Sequence, residues 1–290
     1  MTFDGEFNAS YGNAVELSPL LRRVTCNNPS AFTLKGTNSF IVGRGSVAIV
    51  DPGPDDDAHL RTLLEAVRGE TVTHILITHT HMDHSPLAAK LQAATGAKTY
   101  AALLASKPDT GLRLDASIDH SFEPDVILND GDAIAGKGWT LQAIATPGHL
   151  ANHMAFHLAA ENALLVGDHV MAWATTVVAP PDGHMGDYMN SLRKLLKRHD
   201  DIYYPAHGPE HRKPHTLARA ILAHRKMREE AIYDRVKSGD RSVAEIVARI
   251  YADVSPKLHG AAGLSTLAHL QYLIEQGRVE LRDERYFIRS

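Results

Sequence analysis

Two short apolar runs, Asn38–Val42 and Ser46–Val50, are split by Gly43-Arg44-Gly45, which is the pattern of a hairpin. The second run stops at Asp51-Pro52-Gly53-Pro54. Asp55–Asp57 then supply a cap and first-turn carboxylates for a helix with apolar positions at Leu60, Leu63, Leu64 and Val67. A further apolar run, Val72–Ile77, has strand character and leads into Thr78–His84. Ser85-Pro86 follows, and the pair predicts a helix start with Ser85 as cap and Pro86 at the first position. Ala97–Ala101 reads as another strand. Residues 106–138 are rich in Asp, Pro and Gly and read as an irregular connection holding one short strand near Val126–Leu128.

From Trp139 the strand pattern resumes. Trp139–Ala145 is one strand, and His153–Leu158 with Ala163–Val166 forms a second hairpin. A loop with Pro180, Pro181 and Gly183 precedes a helix carrying Tyr188, Leu192, Leu195 and Leu196, and Ile202–Tyr204 is a last short strand. Strands in two halves with interleaved helices predict two sheets enclosed by helices. The last quarter differs. It reads as a helix from near Thr216 past Arg235, a Ser242-capped helix over Val243–Tyr251, a helix from about Ala262 to Gln276, and a hairpin of Val279–Leu281 with Tyr286–Ile288. That order describes a winged-helix module, so the chain divides into residues 1–214 and residues 215–290.

Composition narrows the function classes. The 290 residues carry a net charge of −4, so bulk charge favours neither nucleic acid nor an anionic membrane. A single cysteine, Cys26, rules out an internal disulfide. No signal peptide is visible at the start, and no run approaches the roughly 20 apolar residues of a membrane span. The expectation is a cytoplasmic protein. Histidine stands out at 18 residues, and position decides which of them matter.

The informative stretch is Thr78-His79-Thr80-His81-Met82-Asp83-His84. Alternate residues of an extended segment face one way, so His79 and His81 can share one ion. The turn then carries Asp83 and His84 toward a neighbouring position. Imidazole with carboxylate suits zinc, and manganese or iron is admissible. Further acids and imidazoles stand at strand ends beside glycine or proline: Asp51, His149, Asp168 and His207.

In this order the motifs resemble the metallo-β-lactamase fold superfamily, whose pattern is His-x-His-x-Asp-His, then His, Asp and His. The resemblance implies an α/β (α+β) fold, a four-layer αββα sandwich, with two divalent metal ions at one edge. By position, His79, His81 and His149 would hold the first ion, Asp83, His84 and His207 the second, and Asp168 would bridge them. Asp51 would orient a ligand imidazole. The chemistry implied is hydrolysis by a metal-bridging hydroxide, with Asp83 or Asp168 orienting it. Glutamate in place of His81 would have suggested a flavodiiron-type redox protein, and cysteine in place of Asp168 a main zinc β-lactamase subclass. Asp168 and His84 point to the glyoxalase II, thioesterase and nuclease branches instead.

Further similarity covers nearly the full chain. Gly36-Thr37-Asn38-Ser39-Phe40, Asp51-Pro52-Gly53, Thr146-Pro147-Gly148-His149 with His153, Thr175-Thr176-Val177, Asp187-Tyr188-Met189-Asn190-Ser191-Leu192 and the C-terminal winged-helix segment are similar to the β-lactamase-like protein 2 family. That family includes an endoribonuclease and acyl-carrier thioesterases, so the resemblance implies hydrolysis of single-stranded RNA or of a small-molecule thioester. Residues from His215 onward hold 13 Lys and Arg against 10 Asp and Glu, and the third C-terminal helix has no Lys or Arg. Such a helix is a poor reader of DNA or RNA. The module is expected to pack on the catalytic part, wall the cleft or mediate a homodimer. His153, His184 and Tyr188 are candidates for substrate contact, each weighed against a packing role, and His169 is expected to be structural.

Overall fold

The computed structural model describes residues 4–104, 118–252 and 259–289. In chain order the elements are β1 (Ala14–Ser18), β2 (Leu21–Thr25), β3 (Asn38–Arg44), β4 (Ser46–Val50), α1 (Asp57–Ala66), β5 (Thr71–Leu76), α2 (Ala88–Thr95), β6 (Lys98–Ala101), β7 (Val126–Ile127), β8 (Ala133–Gly136), β9 (Trp139–Ala145), β10 (Met154–Leu158), β11 (Ala163–Gly167), α3 (Met185–Leu195), β12 (Ile202–Pro205), α4 (Pro214–Lys237), α5 (Val243–Ile250), α6 (His259–Glu275), β13 (Val279–Arg282) and β14 (Arg285–Ile288). Strands β1 to β7 form one sheet in sequence order, antiparallel to β4 and parallel beyond it. The second sheet runs β12-β11-β10-β9-β8, with only β11 and β12 parallel.

The predicted sandwich is present. Phe40, Val42, Val50 and Leu76 of the first sheet meet Leu141, Ala143, Phe156 and Leu165 of the second in a shared core. The outer face of the first sheet buries Ile41, Ile49 and Ile75 against Leu63 of α1 and Leu91 of α2. The outer face of the second buries Ile144, Leu164 and Val166 against Tyr188 and Leu192 of α3 and Ile221 of α4. Strands covered on both faces read as unbroken apolar runs, which is why β4 and β11 lack alternation. Trp139 locks the two sheets together. Its ring lies in the shared core, and its indole N–H donates to the Ser46 carbonyl at 2.8 Å.

Three differences from the sequence reading have physical causes. Strands β1 and β2 do not stand out in the apolar pattern; β2 is Leu-Arg-Arg-Val-Thr, buried along its whole length, with Arg22 and Arg23 tied to the Ala66 and Asn8 carbonyls. Strand β8 falls inside the stretch read as irregular, of which residues 106–117 lie outside the described residues. Ser85-Pro86 does not start a helix. The Ser85 hydroxyl donates to Asp119 and is 3.4 Å from the His81 carbonyl, and α2 begins at Ala88 with no side-chain cap.

The C-terminal elements gather around Ile232, Val236, Ile246, Leu270, Leu273, Val279 and Tyr286. Helix α4 belongs to two clusters: Leu217, Ala218 and Ile221 face the sandwich, while Ile232 and Val236 face α5 and α6. Among the described residues no helix is long and apolar enough to cross a membrane. Replacing Trp139 by Ala is expected to cost about 3–5 kcal/mol of stability in urea unfolding. A cost below about 1 kcal/mol would show that this ring does not hold the sheets together.

Candidate metal centre

Every candidate ligand sits on a turn at one edge of the sandwich. Asp51 ends β4 in a left-handed conformation, φ 49°, which Asp tolerates better than most residues. Its two oxygens accept from the Thr78 N–H and the Thr78 hydroxyl, both at 2.7 Å, and one of them also lies 3.0 Å from His84 Nδ1. Asp51 thus anchors the turn after β5 and holds the His84 ring by its Nδ1. His149 follows β9, Asp168 ends β11, and His207 follows β12.

The outer ring nitrogens of His79, His84, His149 and His207 are bound to protein, and the inner ones converge. His149 Nδ1 donates to the Val177 carbonyl at 2.6 Å, and His207 Nδ1 donates to the Gly36 carbonyl at 3.2 Å. Thr78 Oγ1 already donates to Asp51, so at 3.0 Å it accepts from His79 Nδ1. These bonds leave His79 Nε2 and His149 Nε2 as lone pairs, 2.9 and 3.0 Å from His81 Nδ1. Lone pairs held this close suit a cation between them. Three groups have ligand atoms close enough to share an ion: His79 with His81 and His149, His79 with His84 and Asp168, and Asp83 with His84 and His207. Asp168 stands between the first and the last. One carboxylate oxygen lies 3.6 Å from His149 Nε2 and 4.0 Å from His79 Nε2. The other lies 3.3 Å from His207 Nε2 and 3.7 Å from His84 Nε2.

The metallo-beta-lactamase superfamily profile matches residues 32–207, more than half of the chain and the whole of this edge. The chain belongs to the metallo-beta-lactamase superfamily. The beta-lactamase associated winged helix domain matches residues 242–285. Beta-lactamase-like protein 2 homolog of Caenorhabditis elegans is 32% identical over 270 residues, 91% of this chain and 88% of that one. The atrochrysone carboxyl ACP thioesterase AgnL7 of Paecilomyces divaricatus is 34% identical over 197 residues, 67% of this chain and 57% of that one. The metallo-beta-lactamase family protein TTHA1429 of Thermus thermophilus shares the fold, with a TM-score of 0.77 and 24% identity over 94% of this chain and 100% of that one.

The candidates for substrate contact have other partners in this superfamily member. His153 is buried; its Nε2 accepts from the Asp168 N–H at 3.1 Å, and its Nδ1 lies 2.8 Å from Thr146 Oγ1. It steadies the Asp168 backbone. Tyr188 is fully buried and donates to the His169 carbonyl at 2.9 Å, so it is a core residue. His184 caps α3 and lies 2.9 Å from Glu275 of α6, where it fastens the C-terminal part. His169 is buried against Tyr188, in keeping with a structural role.

Sequence reasoning missed the carbonyls that aim the histidines. Gly36 carries a signal: its φ is 128°, and a Cβ there would lie 1.9 Å from the Cys26 carbonyl oxygen, so only glycine fits. Gly148 is similar, because a Cβ would meet the Tyr188 backbone nitrogen at 2.3 Å and displace His149 from α3. Val177 contributes through its backbone and gives no side-chain signal.

Electrostatics divide the centre in two. Burial and the neighbouring imidazoles hold His79 well below its ordinary pKa and His149 down to about 4, so both are neutral. At the other end burial alone would lower His84, but Asp83, Asp168 and Asp51 outweigh it and push the ring up to about 9. His207 is raised in the same way, against burial, by Asp168 and Asp83. Burial would raise Asp83 and Asp168, yet the facing histidines hold both below the usual carboxylate range. In protein stripped by a chelator, His84 and His207 are therefore protonated at neutral pH, and binding an ion to them must expel those protons. Zinc titration near pH 7 in buffers of different ionisation enthalpy is expected to show release of about two protons. As pH rises through about 9, His84 loses its own proton and that release declines. Zinc binding with no buffer dependence at neutral pH would contradict this division.

Proposed function

We propose that this chain is a two-metal hydrolase acting on thioesters of apolar acyl groups. The first ion, zinc by the chemistry of its donors, belongs to His79, His81 and His149, and the second to Asp83, His84 and His207, with Asp168 between them. The observation that carries the two-metal reading is the Asp168 carboxylate, which turns one oxygen to each imidazole cluster. Such a pair of ions supplies a nucleophilic water at neutral pH and offsets negative charge on the scissile carbonyl oxygen.

The protein's own groups do the positioning. Asp51 holds His84, and the Gly36 and Val177 carbonyls hold His207 and His149. Asp83 has an oxygen 3.4 Å from the Thr37 hydroxyl and stays ionised, so it can accept a hydrogen bond from the attacking water and orient it. With this division, residues 1–214 form the catalytic part and 215–290 the appended part.

The surroundings favour an apolar acyl group. Met82, beside Asp83, is 46% exposed, and Phe32, five residues from Thr37, is 61% exposed. Trp173 and Leu34 pack over Gly208, next to His207. The thioesterase name of a relative over two thirds of this chain supports the same reading. Single-stranded RNA is the second reading, supported by the full-length similarity to a beta-lactamase-like protein 2 homolog and the family likeness of its motifs. It fits the surface less well. Arg225 is buried, Arg228 lies over the Tyr251 ring, Lys194 is bonded to Asp130 and Arg198 to Asp200. Cations engaged in this way contribute little to binding phosphates.

Zinc-loaded protein is expected to hydrolyse acyl thioesters and to leave single-stranded RNA intact. A chelator should abolish turnover and zinc restore it. RNA cleavage without thioester cleavage would reverse the choice of substrate. Asp168→Ala should lose bound metal, and its kcat/KM should fall by at least about a hundredfold. Normal metal content and turnover in that variant would refute the bridging role.

A further inference from the structure

Arg225 of α4 is a buried guanidinium, 3% exposed, whose partners are neutral. One nitrogen donates to the Thr176 carbonyl, another lies 3.4 Å from the Ser265 hydroxyl on α6, and the guanidinium stands 5.1 Å from the Tyr188 ring centroid. Removing a guanidinium from water is costly, so its bond to one particular carbonyl calls for an account.

That carbonyl belongs to the segment 170–184, which joins β11 to α3 with no strand or helix of its own. Such a segment has no ladder to fix it and depends on individual ties. Thr176 and Val177 lie where it meets the metal centre. The Thr176 hydroxyl donates to the Asp168 carbonyl at 2.6 Å and lies 3.2 Å from the His169 carbonyl. The Val177 carbonyl accepts from His149 Nδ1 at 2.6 Å. This short stretch therefore contacts two candidate ligands, and the group gripping it comes from the C-terminal helices. Thr175-Thr176-Val177 thereby gains a physical role.

We propose that Arg225 is a positioning residue of the metal centre: by gripping the Thr176 carbonyl it sets the peptide that aims His149 and steadies Asp168. The proposal rests on reading those two residues as ligands. The appended part is then a brace for the subsite of His79, His81 and His149. The subsite of Asp83, His84 and His207 is held mainly by Asp51 and Gly36 and shares only Asp168 with this brace.

The test resolves zinc binding into two steps in full-length protein, using a competing chromophoric chelator, with thermal unfolding followed alongside. Arg225→Met is expected to weaken the step that His149→Ala removes about 10–100-fold, as loss of a bond behind a ligand does, and to leave the other within about threefold. Arg225→Lys, which keeps one donor, should recover part of that loss. Thr176→Val should weaken the same step, and it decides the matter if Arg225→Met does not fold. Glu275→Gln loosens a different contact between the two parts and should leave both steps unchanged. An unaltered His149-dependent step in Arg225→Met or Thr176→Val overturns the proposal, as does an equal fall in both steps that Arg225→Lys does not relieve. Wild-type thioester turnover is measured in parallel. Turnover with Arg225-independent metal binding overturns the brace alone, and Arg225-dependent binding without turnover overturns the thioesterase reading alone.

Discussion

Burying the Asp168 carboxylate sets the terms for the rest of the structure. A carboxylate out of water needs compensating charge, and Asp168 sits 7% exposed with a histidine facing each oxygen. Its neighbours come from separate turns, after β5, β9 and β12, so those strand ends have to meet at one edge. Two sheets packed face to face accomplish this, because the parallel pairs β4–β5 and β11–β12 point their C-terminal ends the same way. The shared core of Phe40, Phe156 and Leu165, with Trp139 across it, makes that edge rigid enough to hold so many like groups together.

Rigidity of the edge is local. His84 and His79 sit on one turn, yet Asp83, Asp168 and Asp51 raise the pKa of one while burial and neighbouring imidazoles lower that of the other. The same side-chain type is thus prepared in two protonation states on a single turn. The difference follows from where the three carboxylates lie, and it gives the two ends of the cluster different proton inventories.

Much of this was legible in the chain. The His79–His84 run, Asp51, His149, Asp168 and His207 are side-chain groups at turns marked by glycine or proline, and the strands between them carry regular apolar patterns. What could not be read acts through backbone or through distance. The Val177 and Gly36 carbonyls leave no mark in residue type except the demand for glycine at 36. Strand β2 looks polar because its buried arginines are tied to distant segments, Arg22 to the Ala66 carbonyl and the Glu70 carboxylate and Arg23 to the Asn8 carbonyl. Tyr188 lies in a motif that suggests chemistry and His184 just before it, and the structure uses them as a core ring and a cap. Ser85-Pro86 has the form of a helix start, but Asp119 competes for the hydroxyl.

The two family profiles stop at residue 207 and resume at 242, and α4 fills most of the gap between them. Its first half is part of the sandwich wall and its second half part of the C-terminal core. The border between two recognisable families therefore runs along the length of one continuous rod, with no hinge between them. Exchanging C-terminal domains among relatives would have to carry the inner face of this rod along, since Leu217 and Ile221 are shaped to one sandwich and Ile232 and Val236 to one cap. The appended module behaves as a graft whose stem has grown into its host, and the two parts have to change together.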